Sequence, residues 1–116
     1  MEQDGCLFCK IAERRIPAQI LSESEDWIVF RDVKPQAPVH CLIIPKRHIV
    51  NLSAASREDS ALLGAMLLEL ARMAAELKVD SAGYRIVNNC NQNGGQTVGH
   101  LHFHLLAGRP MQWPPG

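Results

Sequence analysis

The chain has 116 residues, 47% of them apolar, and its 12 basic side chains are balanced by 12 acidic ones. That length supports one domain, residues 1–116, with an ordinary hydrophobic core and little room for a second. The zero formal charge argues against a nucleic-acid or membrane surface driven by charge alone, but leaves small anions such as nucleotides as ligands.

The polar opening Met1–Gly5 lacks a basic signal-peptide pattern, and no apolar run approaches the ~18 residues of a membrane span. A cytoplasmic or otherwise reducing location is the expectation, with neither nucleic acid nor membrane as a partner. Leu7–Arg15 separates charges from Leu7, Phe8 and Ile11, which predicts a short helix stopped near Pro17. Gln19–Ser24 and Trp27–Arg31 are β-prone runs on either side of the turn Glu25-Asp26. Pro35-Gln36-Ala37-Pro38 reads as a loop, and His40–Ile44 resumes as a strand ended by Pro45-Lys46-Arg47.

Arg57–Lys78 carries the strongest periodicity. Leu62, Leu63, Met66, Leu67, Leu70, Met73, Ala74 and Leu77 recur at helical spacing and predict an amphipathic helix with one buried stripe. Ser53 or Ser56 is placed to cap its start, with Glu58 and Asp59 favourable in the first turn. A turn at Asp80–Gly83, a strand at Tyr84–Asn89, a polar loop at Asn91–Gly95 and a strand running through Ala107 follow. Gly108–Gly116 is a Pro- and Gly-bearing tail around Trp113. No repeat or low-complexity tract appears. Short strands with one long helix indicate an α+β fold with a largely antiparallel sheet.

Within the last strand lies His100-Leu101-His102-Phe103-His104. Side chains alternate faces in extended backbone, so three imidazoles would share one face, roughly 6.6–7 Å apart, with Leu101 and Phe103 anchored opposite. Three groups titrating near neutrality can serve one small substrate: one nitrogen as nucleophile, a neighbour as proton donor. A three-histidine zinc site is the second reading. The preceding loop, with Asn89, Gly94, Gly95, Gln96 and Thr97, offers amide, hydroxyl and unobstructed backbone donors for an anion. The pair Cys6 and Cys9 forms C-x-x-C, which in a reducing compartment points to metal or redox chemistry. Cys41 and Cys90 are isolated and read as small buried hydrophobes. Taken alone, Asp32 reads as a strand-end carboxylate and His40 as an ordinary histidine.

Asn89, the run Gly94-Gly95-Gln96-Thr97-Val98 and the run His100–Leu106 together resemble the signature of the histidine triad (HIT) superfamily. Asp32-Val33-x-Pro35-Gln36-Ala37-Pro38-x-His40, Ile44-Pro45-Lys46-Arg47-His48 and Trp113-Pro114-Pro115-Gly116 resemble its Hint branch. The resemblance spans Cys6 to Gly116 and implies a five-stranded antiparallel sheet with one long and one short helix, paired into a homodimer. It implies a hydrolase that cleaves purine nucleoside phosphoramidates through a covalent nucleotidyl-histidine. His102 matches the nucleophile, His104 the residue at the scissile side of the phosphate, and His40 a fourth histidine supporting the nucleophile. Asn89, Gly95 and Thr97 match phosphate contacts, and Asp32 matches the acceptor of the ribose hydroxyls. Phe8, Ile11, Phe30, Arg31 and Val33 match the walls of the base pocket. The residues 108–116, with Trp113, match a tail that reaches the partner subunit's active site.

Zinc-bearing relatives of this type hold the ion with four residues that match Cys6, Cys9, His48 and His100. The implied zinc is structural, and no organic cofactor is expected. Two rival functions remain: hydrolysis of dinucleoside polyphosphates or nucleotidyl transfer with the same nucleophile, and nucleotide binding with incidental hydrolysis.

Overall fold

In the computed structural model, which describes residues 5–116, the β-prone runs around the Glu25-Asp26 turn pair as an antiparallel hairpin. They are β1 (Ile20–Glu23) and β2 (Trp27–Arg31); β3 (Val39–Pro45), β4 (Tyr84–Asn88) and β5 (Phe103–Ala107) complete one sheet. The strand order is β1-β2-β3-β5-β4, with every neighbouring pair antiparallel, so the histidine-bearing β5 lies between β3 and β4.

The sheet is buried on both faces, which explains the unbroken apolar run along its central strand β3. Alternation decides which layer each residue enters. Val29, Cys41, Ile43, Phe103 and Leu105 face α2 (Ser60–Glu76), where they meet Met66, Leu70, Met73 and Ala74. Ile28, Phe30, Leu42 and Ile44 face the other way and pack with Cys6, Phe8, Cys9 and Ile11 of the α1 region (α1, Leu7–Ala12). In register, Phe30 pairs with Leu42 and Leu42 with His104. The α1 face of the sheet therefore carries both the second apolar layer and the imidazole of His104.

The two helices are shorter than predicted, for local reasons. Arg14 adopts φ 64°, a left-handed turn that ends α1 and lets Arg15 N–H donate to the Lys10 carbonyl. Residues 57–59 form a tighter turn before α2, in which the Asp59 carboxylate accepts the Ser56 N–H at 2.9 Å and pairs with Arg47. The buried stripe of α2 omits Leu67, which is 38% exposed, and includes Glu69 instead. That carboxylate is satisfied by Ser22 on β1 and by Arg72 at 2.7 Å. Among the described residues no helix is long and apolar enough to cross a membrane.

The largest departure concerns the histidine run. The ladder begins only at Phe103, so His100 and His102 lie in irregular chain and only His104 is in β5. Opposite Leu101 the partner strand has reached Pro45, which has no N–H for the Leu101 carbonyl and whose own carbonyl is met by His100 Nε2, and Leu101 N–H donates to the Ile49 carbonyl at 2.6 Å. On the other side, where β4 ends, the Asn88 side chain donates to the His102 carbonyl at 2.9 Å. Side-chain alternation nevertheless persists: Leu101 and Phe103 join the α2-side core, while His100 and His102 pack against Phe8 on the α1 side, where His104 lies 5.0 Å from His102.

Candidate active site and metal centre

Each histidine of the run is held by a different partner. His100 is fully buried, and its Nε2 lies 2.8 Å from the Pro45 carbonyl. A carbonyl only accepts, so this nitrogen carries the proton and Nδ1 keeps its lone pair. That lone pair faces Cys6 Sγ at 3.1 Å, His48 Nδ1 at 3.2 Å and Cys9 Sγ at 3.5 Å. Cys9 Sγ in turn lies 3.2 Å from His48 Nδ1. A zinc ion with ligands at its usual S and N distances would set them roughly 3.3–3.8 Å apart along the edges of a tetrahedron. The four side chains fit that shape, and their ligand atoms all lie within 4.8 Å of one another. Burial drives His100 down to about 4, and His48 is lowered by the same cause, so both rings are in the neutral form a metal requires. The local fold assembles this group early in the chain: Cys6 caps α1 with its Sγ accepting the Cys9 N–H.

His102 has the opposite polarity. Its Nδ1 lies 2.7 Å from the His100 carbonyl, so Nδ1 is protonated and Nε2 carries the lone pair. Phe8 packs edge-on against the ring at 5.0 Å between centroids and His104 at 5.0 Å, which fixes its orientation. His104 Nδ1 sits 2.8 Å from His40 Nε2, and that same nitrogen is 3.4 Å from Asp32 Oδ2. His40 therefore contacts His104 and Asp32, rather than supporting His102 directly. Burial first, then the charges that His102 and His40 would carry, lowers His104 to about 4; burial also lowers His40 against the pull of Asp32.

A cavity of about 400 Å³ opens on the α1 face of the sheet, within the ~300–1,000 Å³ range of small-molecule sites. Phe8, Ile11, Phe30, Arg31, Asp32, Val33, Thr97, His102 and His104 all line it. Sequence reasoning missed Leu7, Ile16, Pro17, Ala18, Lys34, Leu42 and Val98 in the same wall. Leu42 was recoverable in principle, as the same-face cross-strand neighbour of His104, and Leu7 as the neighbour of Phe8 at the start of α1; Ile16, Pro17, Ala18 and Lys34 come from chain that folds over the sheet without periodic signal. Asp32 caps its own turn, with Oδ1 accepting the Lys34 N–H at 2.8 Å.

Other expected residues lie apart from this cavity. Asn89 donates to the Gly94 carbonyl at 2.7 Å, and Gly95 lines an adjoining polar groove that shares Thr97 with the cavity. A side chain at Gly94 would collide with the Cys90 backbone at 2.3 Å, and Gly95 has φ +79°, so both glycines are required to close this loop. Trp113 is 83% exposed, and no part of the tail lines the cavity. Cys41 is fully buried, its thiol pushed up to about 11 by burial. Cys90 is only half-buried and lies 3.5 Å from Ser53 Oγ, which corrects the expectation of a second core thiol.

A model of the HIT domain matches residues 13–111. The chain belongs to the HIT domain family. It is 51% identical over 113 residues to an uncharacterized HIT-like protein of Synechocystis sp., covering 97% of this chain and 98% of that one. A solved HIT family hydrolase from Legionella pneumophila superposes with a TM-score of 0.95 at 48% identity, covering 97% of this chain and all of that one. A histidine triad protein from Clostridium difficile gives 0.93 at 37% identity and 97% of both chains. The HIT fold, an antiparallel five-stranded sheet with one long helix, is thus shared by this chain.

Proposed function

We propose that this HIT protein is a hydrolase of purine nucleoside 5′-phosphoramidates, such as adenosine 5′-monophosphoramidate, yielding the nucleoside monophosphate and an amine. The observation that carries the reading is the His102 ring: its Nδ1 proton is committed to the His100 carbonyl, leaving an Nε2 lone pair in a ring that lines a nucleotide-sized cavity. Phe8, Ile11, Phe30 and Val33 offer the base an apolar wall with modest discrimination, and Asp32 is an acceptor for ribose hydroxyls. Arg31 lines the same wall. The backbone and side chain of Thr97, with Gly95 and Asn89 in the adjoining loop, supply donors for phosphate oxygens.

In the first step His102 Nε2 attacks the α-phosphorus, the P–N bond breaks, and the departing amine takes a proton with the help of neighbouring His104. His40 stands behind His104, away from the substrate. In the second step water attacks the nucleotidyl-His102 phosphorus and passes a proton back to His104, so that the P–N bond to His102 breaks, the monophosphate leaves, and the Nε2 lone pair of His102 is restored. The name of the Legionella relative, a hydrolase, supports this class of reaction.

Zinc fits Cys6, Cys9, His48 and His100, where it would supply a closed structural centre. His100 would then serve architecture through its ring and His102 through its carbonyl. A second copy is proposed to cover Leu67, Leu68 and Tyr84, apolar residues exposed at 38%, 73% and 37%. In that homodimer the tail with Trp113 reaches the partner's site, giving contact area at small entropic cost.

The test is turnover of adenosine phosphoramidate. His102→Ala should abolish hydrolysis while AMP still binds; a variant that retains activity, or a wild-type protein that binds AMP without turnover, refutes the reading.

A further inference from the structure

Behind the catalytic pair lies a contact between two loops that neither the cavity nor the metal group uses. Arg109, in the chain just beyond β5, directs two guanidinium donors at one acceptor: Nε and Nη2 lie 3.1 and 3.0 Å from the Gln36 carbonyl. The same residue, Gln36, donates its N–H to His40 Nδ1 at 3.0 Å. Gln36 is thus gripped on its carbonyl side by Arg109 and engaged on its amide side with a buried imidazole.

We infer that Arg109 is a positioning residue that, through Gln36, locks the tautomers of His40 and His104 so that His104 presents an Nε2–H to the substrate. This rests on the proposed hydrolytic role of the site and assigns the proton order within it. An amide N–H can only donate, so His40 Nδ1 must be the acceptor and His40 Nε2 the protonated nitrogen. Asp32 gives the same answer independently, because a carboxylate oxygen 3.4 Å from His40 Nε2 only accepts. With Nε2–H fixed on His40, the nitrogen of His104 2.8 Å away must be a lone pair. The neutral His104 then holds its one proton on Nε2. That is the polarity opposite to His102, whose Nε2 is a lone pair, so the two adjacent rings of the cavity present one nucleophile and one donor.

The same geometry weighs against a metal at this place. Asp32, His40 and His104 do converge, with ligand atoms within 4.8 Å. Ligation through His40 Nε2 would require a proton on its Nδ1, directly against the Gln36 N–H.

The test combines nitrogen-15 NMR of histidine-labelled protein near pH 7 with kinetics. Wild type should give Nε2–H tautomers for His40 and His104 and Nδ1–H for His102. Arg109→Gln should speed exchange of the Gln36 amide at least tenfold, move the His40 and His104 ring-nitrogen signals toward mixed tautomers, and lower kcat about tenfold with KM changed less than twofold. Gln36→Pro, which deletes the N–H itself, should cost about 10²-fold in kcat, the lower end for a lost general acid. Arg109→Lys, with a single point donor, should fall between wild type and Arg109→Gln. An Nδ1–H tautomer at His40 or His104 in wild type overturns the inference. So does an Arg109→Gln protein that is less stable to heat but has unchanged ring-nitrogen signals and kcat. Wild type with the expected tautomers, lost in Arg109→Gln, but no phosphoramidate turnover upholds the lock and refutes only the substrate reading.

Discussion

The half-buried imidazole of His104 should tie the stability of this protein to pH in a narrow window, and the sign follows from the direction of its shift. Unfolded, its pKa is about 6.5; folded, it is lowered to about 4, chiefly by burial. The unfolded chain therefore takes up the proton first. The contribution of neutral His104 is complete above about pH 6.5 and is lost as pH falls towards 4, below which both states are protonated. Between pH 7 and pH 5 the loss is about 1.8 kcal/mol if the whole shift applies, and about 1 kcal/mol once discounted for the partial exposure of the ring. Urea unfolding followed by tryptophan fluorescence, for wild type and His104→Gln at both pH values, isolates this contribution. The lowered carboxylates Glu23, Asp59 and Glu69 titrate largely below this window and cancel in the difference. The stability gap between the two proteins should shift by about 1 kcal/mol between pH 7 and 5. A gap constant within about 0.3 kcal/mol would mean that His104 titrates at its ordinary value, and that its neutrality in the folded state is not built by the fold.

Two further outcomes probe the metal centre and the cavity. Metal analysis of purified protein should find close to one zinc per chain, falling by more than half in Cys9→Ser with a Tm loss of several degrees; a natively folded, metal-free wild type defeats the site. Asp32→Asn keeps an acceptor for the Lys34 N–H but removes the charge, and should weaken AMP binding measured by calorimetry about tenfold, or ~1.4 kcal/mol. Unchanged affinity would remove Asp32 from ribose recognition.

What the sequence made legible followed from periodicity and from chemistry that repeats locally. Trp27–Arg31 coincides with β2 because its turn is explicit and both its faces are apolar, and the stripe Met66, Leu70, Met73, Ala74 was readable at helical spacing. Period two sorted Leu101 and Phe103 from the histidines correctly, but the regular strand starts only at Phe103, because a ladder needs a partner. β3 reaches Pro45 just where the run would have continued, and a proline on the neighbouring strand is invisible to a reading of the run itself. Loss of that ladder changes what the histidine rings and carbonyls meet, not which face they occupy. Outside the ladder, His100 places its ring among two cysteines and His48 while its carbonyl accepts a hydrogen bond from His102 Nδ1–H. An ideal strand would have aimed three equivalent rings at one substrate. The partners around the run set His102 apart, with its proton on Nδ1 where His100 and His104 hold theirs on Nε2, and the residues that set this, Pro45, Gln36 and Arg109, act through backbone atoms or from loops, where side-chain pattern carries no signal. Differentiation of the triad is thus a property of the backbone around it, and substitutions that preserve every histidine can still abolish the division of labour among them.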